Sequence, residues 1–121
     1  MLSKDELAAR LSKVRASLAG RAELVAVSKF HPADYVRLSY ELGQRLFGES
    51  RVQELVAKHE ALAADCPDIV WHFIGPLQTN KVKYLASFIH MIESVTSERL
   101  LEEINRQGQR VGRRIPILLE V

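Results

Sequence analysis

The chain has 121 residues, 47% of them hydrophobic and 26% charged, with a formal net charge of +2. That length fits one domain with one core, and the composition excludes a disordered chain, a collagen-like repeat and a disulfide scaffold. The weak, interspersed charge is not the footprint of a nucleic-acid binder, and no apolar run approaches the roughly 20 residues a membrane-spanning helix needs.

The first residues, Met1 to Glu6, are charged at once and carry no apolar signal core. With Cys66 as the lone cysteine, a cytoplasmic protein is expected. Ser3 and Glu6 then form a capping box, and Leu7, Leu11, Val14 and Leu18 mark one face of a first helix that Gly20 stops. Leu24–Val27 is a continuous apolar run, as in a strand covered on both faces. Pro32 opens a second helix whose face is Tyr35, Leu38 and Leu42, and Gly43 ends it. Leu46–Gly48 is a second strand. Val52, Leu55, Val56, His59 and Leu62 mark a third helix, which Pro67 closes off. A third strand over Ile69–Ile74, a short helix near Asn80–Leu85 and a fourth strand over Ile89–Ile92 follow. Ser97 caps a helix with Leu100, Leu101 and Ile104 on its face, and Ile115–Val121 is a fifth strand. The basic residues Arg106, Arg110, Arg113 and Arg114 read as a solvated helix end.

Strand starts recur near positions 24, 46, 69, 89 and 115. Such spacing predicts parallel βα units. A doubly wound sheet usually carries a glycine-rich loop after its first strand, but Ser28-Lys29-Phe30-His31-Pro32 has no glycine, and no Walker loop occurs. A (β/α)8 barrel places its chemistry on the loops after the strands, where the unusual polar residues cluster here. A whole barrel takes roughly 250 residues, so five strands amount to about half of one. The expected architecture is therefore an α/β parallel barrel of the TIM type, residues 1–121 forming a single domain that is its N-terminal half.

Three clusters could carry chemistry. Lys29 follows the first strand: it is either a strand-end lysine reaching solvent or, held against apolar walls, one that loses hydration and more readily offers the neutral amine that condenses with an aldehyde. Phe47-Gly48-Glu49-Ser50-Arg51-Val52-Gln53-Glu54 combines a tight turn at Gly48 with a helix start at Ser50 able to hold a polar ligand group. Glu49 is either an acid facing the site or a first-turn residue favoured by the helix dipole. Trp71-His72-Phe73-Ile74-Gly75-Pro76-Leu77-Gln78-Thr79-Asn80-Lys81 ends a buried aromatic strand in a crowd of polar groups, as a ligand rim does. His72 lies between two aromatics, as a core histidine or as a ligand. The four histidines are scattered, so no metal site is expected.

Together, Val25-Ala26-Val27-Ser28-Lys29, Phe47-Gly48-Glu49 with Val52-Gln53-Glu54, and the long Trp71–Lys81 motif resemble the YggS/PROSC family, the pyridoxal phosphate homeostasis proteins. The stretch Ile92–Ser97 also fits. The resemblance implies a barrel like the N-terminal domain of alanine racemase. It further implies pyridoxal 5′-phosphate (PLP) held as a Schiff base on Lys29, without established turnover, in intracellular vitamin B6 homeostasis. Ser50, His72, Gly75 and Asn80 are the further cofactor-binding residues expected. Two positions depart from the family pattern: Ser50 stands where asparagine is usual, and Thr96 where aspartate is commoner. Because the phosphate cup of this fold class comes from late loops, half a barrel is expected to hold the cofactor weakly or not at all, and to self-associate through open sheet edges. The alternatives are a PLP-dependent amino-acid racemase, which needs an acid–base group on each face of the cofactor, and a barrel fragment serving as an interaction module.

Overall fold

The computed structural model describes residues 3–120. Its elements run α1 (Lys4–Leu18), β1 (Ala26–Val27), α2 (Ala33–Glu41), β2 (Leu46–Glu49), α3 (Val52–Leu62), β3 (Val70–Phe73), a 3-10 helix (Thr79–Tyr84), β4 (Met91–Val95), α4 (Glu98–Val111) and β5 (Ile117–Leu119). The five strands are parallel and stand in the sheet in sequence order, β1-β2-β3-β4-β5. A doubly wound sheet reverses its order at a switch point. Here no reversal occurs, and the arrangement is one half of a (β/α) barrel.

Register assigns the side chains to two faces, because partners across a parallel ladder point the same way. Ala26, Phe47 and Trp71 are partners, as are Glu49, Phe73 and Ile92; both sets face the helices. Phe47, Leu55, Leu62, Phe73, Val82, Leu85 and Ile92 are the centre of the core on that side. Val27, Gly48, His72 and Met91 are partners on the opposite face. That face is open where Val27 is half exposed.

Local signals account for most helix ends. The Ser3 hydroxyl accepts the Glu6 N–H at 3.2 Å, and the Ser97 hydroxyl accepts that of Leu100 at 3.2 Å. Gly112, in the left-handed region at φ 69°, closes α4. Beyond it, Arg113 is not a solvated charge: it donates to the carbonyls of Ala86 and Ile89 at 2.5 and 2.8 Å, tying the end of α4 to the turn before β4. Arg106 instead pairs with Glu103.

Several expected boundaries move. Strand β4 begins at Met91; Ile89 still belongs to the preceding turn, its N–H bonded to Leu85 O at 2.9 Å. Strand β1 keeps only two residues of the apolar run. Pro32 caps α2 rather than entering its first turn, and Val36 and Ser39 are the buried residues of its face, with Leu38 and Leu42 half-buried. Val14 is exposed because α1 lies at the margin, packed chiefly on α2. The predicted fifth strand extends to Val121, which lies outside the described residues, as do Met1 and Leu2.

On α3, His59 stacks on Phe88 with ring centroids 3.8 Å apart. Burial pushes its imidazole below the ordinary histidine value of 6.5, against an opposing pull from Glu60. The fold therefore favours the neutral ring, and the unfolded chain takes up the proton first as pH falls. The stabilisation is present above about pH 6.5 and drains away below it. Urea unfolding should show stability falling between pH 7.5 and 5.5, with a flatter slope in His59→Gln; an unchanged slope would contradict this reading.

Candidate functional site

The unusual residues gather where the strands end. Ser28 closes a turn by accepting the His31 N–H at 3.0 Å, and its own N–H donates to Gly48 O at 3.0 Å. Lys29 and Phe30 are the central residues of that turn. Phe30 sits at φ 66°, a left-handed conformation that costs a bulky L-residue on the order of 1–2 kcal/mol. Helix α3 compensates. Its Glu54 carboxylate accepts the Phe30 N–H at 3.4 Å, and the Arg51 guanidinium lies 4.9 Å from the centroid of the exposed Phe30 ring.

The expectation that Lys29 is dehydrated is corrected: its side chain is exposed. A five-stranded sheet supplies a wall on one side only, and stripping water from an ammonium takes walls on several. Alternation along β1 places Val27 on the open face and Ala26 towards the helices. Lys29 lies two residues past the end of β1, in the turn at the C-terminal end of the strands.

The dehydrated lysine is Lys58, which the sequence reading missed. Its side chain is 8% exposed and that of Glu49 is 0% exposed, and Lys58 Nζ lies 2.8 Å from Glu49 Oε2. The same ammonium donates to the carbonyl of Ser28 at 2.8 Å, and the Ser28 hydroxyl donates to Glu49 Oε2. Glu49 is therefore neither a site acid nor a first-turn residue; it is the last residue of β2, turned towards the helices. Lys58 is not placed to meet a ligand: its amine is buried and committed to the Glu49 carboxylate and the Ser28 carbonyl. Removing one partner of such a buried pair costs about 3–5 kcal/mol. Its position was legible: Lys58 falls three after Leu55 and four before Leu62, on the apolar stripe of α3.

On the open face, His72 is the partner of Gly48 in the ladder. Its Nδ1 lies 3.3 Å from Glu93 Oε2, while its Nε2 is buried and has no hydrogen-bond partner among the described residues. Such an orphaned nitrogen fits a polar ligand atom. Ser50 and Gly75 meet directly. A Cβ on Gly75 would stand 2.4 Å from the Ser50 carbonyl oxygen, so only glycine permits this approach of the β2 and β3 ends. The Gly75 carbonyl accepts the Ser94 hydroxyl, which extends the rim to β4. Ser50, Gln53, Glu54, Pro76, Gln78 and Lys81 line a cavity of about 310 Å³ here. Asn80 is placed elsewhere: it borders a separate cavity of about 380 Å³ with Arg99, Glu102, Glu103 and Arg106. Among the described residues, no group of three or more His, Cys, Asp or Glu could hold a metal ion, and no helix is long and apolar enough to cross a membrane.

Comparison with known proteins agrees with the half-barrel fold. The family model for the alanine racemase N-terminal domain matches residues 2–121. The pyridoxal phosphate homeostasis protein of Homo sapiens is 42% identical over 104 residues, 81% of this chain and 38% of its own length. That of Aquifex aeolicus is 41% identical over 100 residues, 83% of this chain and 43% of its own. The structure of PipY from Synechococcus elongatus, solved with PLP bound, matches at 42% identity and a TM-score of 0.87, covering 92% of this chain and 52% of PipY. The chain spans about two-fifths of the length of these curated relatives and about half of PipY. It belongs to the alanine racemase N-terminal domain family, in the branch of the pyridoxal phosphate homeostasis proteins.

Proposed function

We propose that this chain is the cofactor-holding part of a cytoplasmic PLP-binding protein of vitamin B6 homeostasis, with Lys29 as the residue that takes the cofactor covalently. The observation that carries the reading is the placement of Lys29: an exposed amine at the C-terminal end of the strands, on a scaffold that matches PLP-bound PipY with a TM-score of 0.87. When bound, the cofactor supplies an aldehyde, which a neutral amine attacks with loss of water.

The residues present fit such a group on one side. Lys29 offers the amine from the turn at the strand ends, and the unpartnered His72 Nε2 offers a polar contact on the open face. The Ser50–Gly75 junction forms the rim. Phosphate donors from late barrel loops lie outside the span of this chain. The cytoplasmic placement draws on Cys66, a lone cysteine with a free thiol and no partner for an internal disulfide.

Incubation with PLP, borohydride reduction and peptide mass mapping test the reading. The reduced pyridoxyl group should appear at Lys29, below one per chain, ahead of the exposed Lys4, Lys13 and Lys83. Lys29→Ala should remove that preference. Label spread evenly over the exposed lysines would overturn the assignment.

The open edges support a second part of the proposal. Strands β1 and β5 are each paired on one side only, and Val27, Leu118 and Leu119 are about half exposed or more. Uncovered apolar edges recruit further strands. Sedimentation equilibrium should show self-association that strengthens with concentration, whereas an unchanging monomer would contradict it.

A further inference from the structure

We infer that Ser28, Glu49 and Lys58 are positioning residues for Lys29: a buried clamp beneath the turn that fixes where the amine points. The inference rests on the proposed role of Lys29 and goes beyond it, since none of the three touches the open face.

Three observations carry it. First, the clamp grips the residue next to Lys29 by both its hydroxyl and its carbonyl. The Ser28 hydroxyl donates to Glu49, and its carbonyl accepts from Lys58 Nζ at 2.8 Å. The same carbonyl accepts the His31 N–H that closes the turn, at 3.0 Å, so one oxygen is shared by the clamp and the turn. Secondly, the grip is sealed. Ser28 is 3% exposed, Glu49 0% and Lys58 7%, which shields the charges from water and makes each bond directional and hard to replace. Thirdly, the turn needs holding. Phe30 is left-handed without being glycine, so the backbone around Lys29 would relax to another conformation if released. An exposed lysine has a long, mobile side chain, and the fixed part of its geometry is the backbone beneath it. A carboxylate and an ammonium buried together serve stability poorly compared with apolar residues of the same volume. Their use here follows from what they bind, the backbone of the Lys29 turn.

The test separates positioning from stability. Lys58→Met leaves Glu49 buried and unpaired, while Glu49→Leu with Lys58→Met removes both charges and restores apolar packing. Thermal unfolding by circular dichroism should show the single variant strongly destabilised and the double variant close to the parent chain. Two further readouts address the turn: exchange of the His31 amide, and the rate of reductive pyridoxyl labelling at Lys29 relative to Lys83 in the same sample. In the double variant, His31 protection should drop and relative labelling at Lys29 should fall roughly tenfold, because misplacing a reacting group slows its reaction even when the protein remains folded. Ser28→Ala, which deletes only the hydroxyl, should lower both readouts less. Recovery of both readouts along with stability in the double variant would make the pair merely structural and overturn the inference. If the parent chain shows no preference for Lys29 but His31 protection still falls in the double variant, the clamp stands and the cofactor reading fails.

Discussion

A carboxylate sealed between a sheet and a helix must be met by a cation, and Lys58 meets Glu49 at 2.8 Å. This contact binds three successive pieces of the βα architecture. Ser28 follows β1, Glu49 ends β2 and Lys58 lies on the middle of α3. Because β1 is only two residues long, the ladder alone gives the segment around Lys29 little support. The buried pair supplies it from beneath, and Glu54 and Arg51 at the start of α3 supply it from the side. A second polar contact acts at the other end of the same strands. Gln44, itself buried, donates to the carbonyls of Leu24 and Leu46 at 2.7 and 2.9 Å and accepts from Arg15. The first two strands are thus held at both ends by side chains rather than by a long ladder.

The two faces of the sheet divide the work. The helix face is a packed core of Phe47, Leu55, Phe73, Ile92 and their neighbours, with no exposed surface on the largest of them. The opposite face mixes apolar side chains, Val27 and Met91, with Gly48, whose missing side chain leaves room for Ile74 and Val25, and with the polar pair His72 and Glu93. A mostly apolar lining with a few polar groups is the usual make-up of a small-ligand site. Under the proposed function, the contrast explains why one fold element holds both a rigid support and an unsatisfied histidine nitrogen.

Much of this was legible from the residues. The recurrence of apolar runs gave the parallel βα order, because βα units repeat at a fixed length whatever their side chains. Ser3 and Ser97 marked helix starts through local backbone chemistry, which needs no tertiary information. Gly75 and Pro76 marked the end of the third strand, although the close approach of Gly75 to Ser50 shows only in the fold. What stayed hidden depended on contacts between distant segments. Glu49 and Lys58 are nine positions apart and on different elements: Lys58 lies on the apolar stripe of α3, but that the two are partners shows only when α3 folds back onto β2. Lys29 misled for the converse reason: a lysine after an apolar strand looks buried in sequence, yet dehydration depends on walls that half a barrel does not enclose. Arg113 looked like a surface charge and turned out to satisfy two carbonyls.

The central claim is geometric: the amine of Lys29 serves the open face of the half-barrel, with the buried pair beneath it. A crystal structure of the chain after reduction with borohydride in the presence of PLP addresses it most directly. The account predicts a pyridoxyl ring joined to Lys29 and lying over the face formed by Val27, Gly48 and His72. A ring carried by another lysine, or turned outward over the helices, would contradict it.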